Sequence, residues 1–331
     1  MKIGNHPSAS RRCAHEHSFN RNLMDRLILP GALGFTRFGY TLRKRSWSEL
    51  PELPDRRVAV VTGATSGLGR VTAERLAALG ARVILVGRNR KKLRDVIGKI
   101  AETTGSDSLV AEVADLSLKA DVRELANRLL GREEAIHILV NNAAVLPTER
   151  IMTSEGLETA FATDLLSPFL LTNLLIPQLR SSAPARIINV LSGGMYLSGV
   201  NVKDLENVKG KYVGSRAYAR AKRGMMIMTE HWASQLEGKG VTVNAMHPGW
   251  ADTPGVRESL PGFHKLARAV LRTPEQGADT IIWLAISQEA SGHSGKFWLD
   301  REPHLSAIFP GTSGSRSERL QLISELERLA A

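Results

Sequence analysis

From Arg56 onward, short apolar runs rich in β-branched residues alternate with amphipathic stretches of helical period. The runs Val58–Thr62, Arg82–Val86, Ser108–Val113, Ile136–Asn141, Arg186–Leu191, Val241–Met246 and Gly295–Leu299 read as strands. The first five are nearly all apolar, as strands covered on both faces must be. Between the first two, Val71, Leu76 and Leu79 follow a helical repeat that stops at Gly80, a plausible C-cap residue. Regular alternation predicts right-handed βαβ crossovers, and so an α/β fold with a doubly wound parallel sheet as one domain over residues 56–300. No internal repeat is found. In the tail, 301–331, Leu320, Ile323, Leu326 and Leu329 predict a terminal helix packed on the body.

Residues 1–55 break the pattern. Met1–Asn22 is polar, lacks a usable period and reads as a disordered tail. It has neither the apolar core nor the cleavage site of a signal peptide, and a start at Met24 stays open. Leu27 to Leu42 is apolar and aromatic, then Arg43, Lys44, Arg45 and Trp47 follow. Pro30, Gly31, Gly34 and Gly39 interrupt this run, which is too short to span a bilayer. Two readings stand: segment 27–47 packs on the domain, or it lies on a membrane with its cations at anionic headgroups.

Composition narrows the function. In 331 residues, 44 Lys and Arg face 33 Asp and Glu, a net charge of +11, and 43% of residues are hydrophobic. That is enough apolar material for a core and argues against global disorder. A single cysteine, Cys13, excludes an internally cross-linked scaffold and a Cys-rich zinc site. The histidines His6, His15 and His17 read as tail rather than as a metal site. The basic excess fits nucleic acid, an anionic membrane or an anionic ligand. Residues 1–54 hold nine Lys and Arg against four Asp and Glu, close to half of the excess. More lies at Arg88–Lys92, and no helix-turn-helix or aromatic-basic pattern supports nucleic acid.

The anionic ligand has a candidate site. The first strand enters Thr62-Gly63-Ala64-Thr65-Ser66-Gly67-Leu68-Gly69. Gly63 suits a tight turn, Gly67 lets the backbone approach a pyrophosphate and Gly69 lets helix and strand pack closely. The helix start offers free N–H groups to the phosphate. After the second strand comes Gly87-Arg88-Asn89-Arg90-Lys91-Lys92, with no acid before Asp95. A guanidinium at Arg88 suits a ribose 2′-phosphate, where an acid would repel it. This favours NADP(H) over NAD(H). Further on, Tyr218 and Lys222 stand four apart on a helical stretch and share a face. A nearby ammonium favours phenolate and makes tyrosine a usable acid/base.

Together these motifs resemble the classical short-chain dehydrogenase/reductases across nearly all of residues 56–300. Thr62–Gly69 matches their glycine motif, Asp115-Leu116 their adenine-pocket acid, and Asn141-Asn142-Ala143-Ala144 their Asn-Asn-Ala-Gly motif with alanine last. Ser192 matches their serine, Tyr218 and Lys222 their Tyr-x-x-x-Lys, and Pro248-Gly249 to Thr253 their Pro-Gly-x-x-x-Thr. The long interval between Ser192 and Tyr218 is similar to the retinol-dehydrogenase-like branch.

The resemblance implies a Rossmann-type fold in which Ser192, Tyr218 and Lys222 are catalytic. Thr65, Ser66, Leu68, Asn89, Asn142 and Ala143 join the other motif residues around the cofactor. Tyr218 exchanges a proton with the substrate oxygen, Ser192 hydrogen-bonds that oxygen, and Lys222 holds the nicotinamide ribose and lowers the tyrosine pKa. Asp164 stands where the family usually has a fourth catalytic residue, an asparagine acting through its carbonyl and a helix distortion. It is either a near-isostere or a carboxylate that pairs with Lys222 and upsets the tuning. His247 reads as structural or as a pocket wall.

A lid from Trp250 to about Thr273, with Val256, Leu260, Pro261, Phe263 and Leu266 as an apolar roof, suggests a lipophilic ketone, aldehyde or alcohol. Arg257, His264, Lys265 and Arg268 add charge there, as rim or as anchor for an anion. The expected protein is cytoplasmic, with peripheral contact at the inner face of a membrane left open. The resemblance also implies a homo-oligomer through the helices carrying Tyr218 and Leu165–Leu175. The alternative to an active oxidoreductase is a dinucleotide-binding scaffold or redox-sensing protein with impaired catalysis.

Overall fold

The structure is a computed structural model and describes residues 32–53 and 57–331. The expectations for Met1–Asn22, Cys13, Met24, Leu27–Gly31 and Pro54–Arg56 fall outside the described residues. In chain order the elements are α1 (Arg37–Lys44), β1 (Val58–Thr62), α2 (Gly67–Ala78), β2 (Arg82–Gly87), α3 (Arg90–Thr104), β3 (Leu109–Val113) and α4 (Lys119–Arg132). Next come β4 (Ile138–Asn141), α5 (Thr159–Ser181), β5 (Ala185–Val190), α6 (Gly214–Gln235) and β6 (Val241–Met246). The chain ends with α7 (Pro254–Ser259), α8 (Pro261–Ala267), α9 (Pro274–Ile286), β7 (Phe297–Leu299), β8 (Glu302–His304) and α10 (Arg316–Ala330).

The strands form one sheet in the order β3-β2-β1-β4-β5-β6-β7-β8, parallel except for β8. Strand order reverses between β1 and β4, the position where a doubly wound sheet opens a crevice at its strand C-termini. The core has two parts, one on each face of the sheet. Helices α4, α5, α6 and α10 pack on one face, and α2, α3 and α9 on the other. Helix α5 is long and apolar enough to cross a membrane by composition, but 78% of its most apolar window is buried inside the fold. Leu165, Leu166, Leu171 and Leu175 are spent on that core.

Three local expectations change. Strand β3 is an edge strand and mostly half-exposed; its one buried residue is Glu112, held by Arg128 and Arg132 of α4. Helix α10 buries Leu322, Leu326 and Ala330, whereas Leu320 faces solvent. Ile323, Leu326 and Leu329 pack on the core as the apolar spacing predicts, and only Leu320 departs from it. Strand β8 has no sequence signal, because its hairpin turns through Asp300 and Arg301, both at positive φ (53° and 60°), where Asn-Gly is usual. Ion pairs offset this strain: Asp300 meets buried Arg272, and Arg301 meets Asp279.

Segment 32–53 lies on the domain. Phe35 and Tyr40 are buried, the Tyr40 and Trp47 rings meet edge to face at 5.2 Å, and the Arg301 guanidinium covers Trp47 at 4.5 Å. Arg43 pairs with Asp300. The opposite face of α1 stays open: Phe38 is 57% and Leu42 68% exposed, one turn apart.

Candidate active site

The glycine turn and the loop after β4 are tied together. Thr62 Oγ1 accepts from the Asn142 N–H (2.9 Å) and the Ala143 N–H (3.0 Å) and donates to Val140 O (3.1 Å). Asn142 Nδ2 donates to Thr62 O at 2.8 Å. A side chain at Gly69 would collide with Gly63 O, so this glycine is required by contact as well as by motif. Gly67, at φ +52°, faces Thr253, where an added Cβ would come within 3.3 Å of Thr253 Cγ2. The glycine turn and the Pro248–Thr253 turn therefore adjoin. Ser66 is the N-cap of α2 and makes no side-chain capping bond, which leaves N–H groups of the first turn open to an anion.

The Leu68 side chain packs against Gly277 of α9, and that of Thr65 against Gly87. Asn89 caps α3 by accepting from the Lys92 N–H at 2.9 Å. Arg88 is exposed and makes no hydrogen bond or ion pair among the described residues. Asp115 Oδ1 accepts from both the N–H (2.9 Å) and hydroxyl (2.8 Å) of Ser117, which fixes the turn after β3; Leu116 beside it is buried. Close-approach glycines, an uncapped helix start and an unpaired guanidinium fit a phosphorylated dinucleotide.

The side chains that the resemblance marks as catalytic come from three elements. Ser192 follows β5 and accepts from the Gly194 N–H at 3.2 Å; its side chain lies close enough to the Tyr218 phenol to favour phenolate. Arg223, buried beside Lys222, donates to Met195 O (2.9 Å) and Ser306 O (2.7 Å) and so pins the turn after Ser192. Helical spacing brings Lys222 over the Tyr218 ring, its Nζ 5.4 Å from the centroid and 3.0 Å from Val190 O, to which it donates.

Asp164 lies within a π-helical stretch, Ala162–Leu166, the kind of distortion the resemblance implied. Its Oδ1 accepts from the Val145 N–H at 2.8 Å; Oδ2 is buried and has no hydrogen-bond partner among the described residues. Burial pushes its carboxyl up to about 7, against the opposing attraction of Lys222. Burial lowers Lys222 in turn, against the pull of Asp164. Tyr218 is raised, first by burial and then by the Asp164 charge. Burial also disfavours the Lys222 ammonium, while the Asp164 charge raises the phenol.

Turn Pro248–Thr253 leads into the segment expected to form a lid, which folds as α7 and α8. Gly249 sits at φ +74° against the Arg272 side chain. Trp250 meets Phe263 edge to face at 5.2 Å, and Val256 and Phe263 are half-buried. Leu266 points outward at 89% exposure and does not join the expected roof. Arg257 and His264 both bond Asp252, so these side chains are engaged within the 250–273 segment. Buried His247 is held neutral by burial, with Arg272 and His304 adding to the effect, its pKa lowered to about 3. Its Nδ1 accepts from the Gly193 N–H at 3.2 Å.

Sequence reasoning missed Phe35, Arg223 and Arg272. The first lies far from the domain in sequence, and the other two look like ordinary surface charges. In the stretch between Ser192 and Tyr218, Tyr212 donates to Glu158 at 2.9 Å, and Arg220 to Asn207 at 2.6 Å, so the insertion is anchored to the domain.

Residues 57–262 match a family model described as short chain dehydrogenase. The chain is 38% identical over 276 residues to dehydrogenase/reductase SDR family member 12 from Homo sapiens, covering 83% of this chain and 86% of that protein. It is also 38% identical over 267 residues to retinol dehydrogenase 14 from Mus musculus, covering 76% and 79%. Among solved structures, it is similar to a Beutenbergia cavernae protein described as an NAD(P)-dependent gluconate 5-dehydrogenase with bound NADP at low occupancy. That match has a TM-score of 0.61 and 26% identity, covering 79% of this chain and 98% of the other.

Proposed function

Because this chain belongs to the short-chain dehydrogenase/reductase family, we propose that it is an NADP(H)-dependent oxidoreductase interconverting a carbonyl and an alcohol on a lipophilic substrate. The observation that carries this reading is the meeting of Ser192, Tyr218 and Lys222 beside the Pro248–Thr253 turn, which adjoins the glycine turn. Gly63, Gly67, Gly69 and the first turn of α2 would hold the pyrophosphate, Arg88 a 2′-phosphate, and Asp115 and Leu116 the adenine side. The bound dinucleotide supplies or takes up the hydride.

Tyr218 donates its proton to the substrate oxygen during reduction and removes it during oxidation. Ser192 donates a hydrogen bond to the same oxygen and stabilises charge developing there. Lys222 holds the nicotinamide ribose. Support for NADP(H) comes from the unpaired Arg88 and from the similar Beutenbergia cavernae structure with bound NADP. A lipophilic substrate is supported by the Trp250–Phe263 wall and by the relative named retinol dehydrogenase. We place the protein in the cytoplasm, peripheral to an anionic membrane through the open face of α1, and working as a homo-oligomer.

Tyr218→Phe tests the central role. Carbonyl reduction with NADPH should fall by at least 100-fold while NADPH affinity stays within about threefold. Turnover near the parent level would refute it. Asp164 favours one second reading, a dinucleotide-binding protein with impaired turnover, because its charge raises Tyr218. A panel of carbonyl substrates separates the two.

A further inference from the structure

We propose that the N-terminal segment Leu33–Trp47, outside the matched family region, is a working wall of the active site, with Phe35 as a positioning residue for Ser192 and the lid. This rests on the oxidoreductase reading above. The Phe35 ring meets His247 edge to face at 4.8 Å, and His247 Nδ1 takes the N–H of Gly193, the residue after Ser192. Phe35 also lies against Trp250, ring centroids 6.1 Å apart, and its carbonyl accepts from the Trp250 N–H at 2.8 Å. One residue thus contacts supports on both sides of the substrate position.

The flanking backbone is fixed as firmly. The Arg37 N–H donates to Val270 O at 3.0 Å. Arg272, fully buried, donates to Gly34 O (2.9 Å), Thr36 O (3.2 Å) and Pro248 O (3.3 Å), and pairs with Asp300 at 2.6 and 2.8 Å. A side chain that joins the segment to the Pro248 turn couples the two mechanically. Asp300 is shared by Arg272 and by Arg43 of the segment itself, and hydrogen bonds compensate these groups for burial.

Removing the Phe35 ring leaves a void beside His247 and Trp250. The imidazole can then tilt, the Gly193 N–H loses its acceptor, and the Ser192 turn loosens without direct loss of any catalytic group. The experiment compares the full chain with Phe35→Ala, Phe35→Leu and the exposed Phe38→Ser. Amide hydrogen exchange is read by peptide, and carbonyl reduction by NADPH is followed in parallel.

In Phe35→Ala, peptides covering 191–197 and 248–260 should exchange at least tenfold faster, with β1–β3 unchanged. The kcat should fall at least tenfold with NADPH affinity within twofold. Phe35→Leu should recover most of both losses, and Phe38→Ser should match the parent. Parent-like exchange in those two loops overturns the proposal, as does acceleration spread evenly over the domain. Loop-specific acceleration in a protein whose parent form reduces no carbonyl upholds the positioning role and refutes the oxidoreductase reading instead.

Discussion

Asp164→Asn tests the electrostatics of the site. The parent carboxylate is 1% exposed, with one oxygen on the Val145 N–H and the other without a partner among the described residues. Burial raises it from 3.8 to about 7, so the fold holds that proton more tightly than the unfolded chain by roughly 4 kcal/mol. A carboxyl raised on folding makes the native state less stable wherever the unfolded chain has released the proton. The cost is absent below about pH 4, grows as pH rises towards 7 and is complete above 7. Asparagine keeps the shape and the acceptor for Val145 but does not ionise. Urea denaturation should therefore find parent and variant similar at pH 3.5. At pH 8 the variant should be more stable by up to roughly 4 kcal/mol.

The same substitution reaches the chemistry. The Asp164 charge raises Tyr218, and alcohol oxidation needs the phenolate. In Asp164→Asn the rising limb of the oxidation profile should move to lower pH, with a gain in rate on that limb. The assay is alcohol oxidation followed by NADPH absorbance from pH 6 to 10. A parent-like profile, with no added stability at pH 8, would show that the carboxylate is not ionised near Tyr218 and would refute the reasoning.

Arg88→Asp should move the NADPH-to-NADH affinity ratio towards NADH by at least tenfold, measured by nucleotide fluorescence titration. Arg88 bonds nothing among the described residues, so the melting temperature should hold; an unmoved ratio would reject the 2′-phosphate assignment. Phe38→Ser with Leu42→Ser should reduce co-sedimentation with anionic vesicles several-fold while leaving turnover on a soluble carbonyl intact. This double variant tests membrane contact better than deleting residues 1–48, which would also remove Phe35 and Tyr40 from the folded domain.

The parts of this protein legible in the sequence are those whose cause is local. Strand runs such as Val58–Thr62 and Val241–Met246 carry their own burial pattern, and the structure keeps the same bounds. The glycine turn is legible because each glycine answers a steric demand within a few residues or across one adjacent loop. Tyr218 and Lys222 are legible because helical spacing alone puts them on one face. The reading weakens where a role depends on segments far apart in the chain. Arg272 looks like a solvated charge until Gly34 O and Thr36 O, more than 230 residues upstream, come within bonding reach. Asp300 and Arg301 violate turn chemistry until Arg272 and Asp279 hold them.

The tuning of Tyr218 belongs to this second kind. Spacing correctly puts an ammonium over the ring, yet the sign of the shift comes from burial and from Asp164, which sits on another helix. A motif can therefore name the groups that do the chemistry without fixing their proton affinities. Those depend on the packing around the motif, here α5 and the wall formed by segment 33–47. Two members of one family with the same Ser, Tyr and Lys can thus differ in pH range through a carboxylate such as Asp164, and in the order of the active-site loops through a contact such as Phe35 on His247.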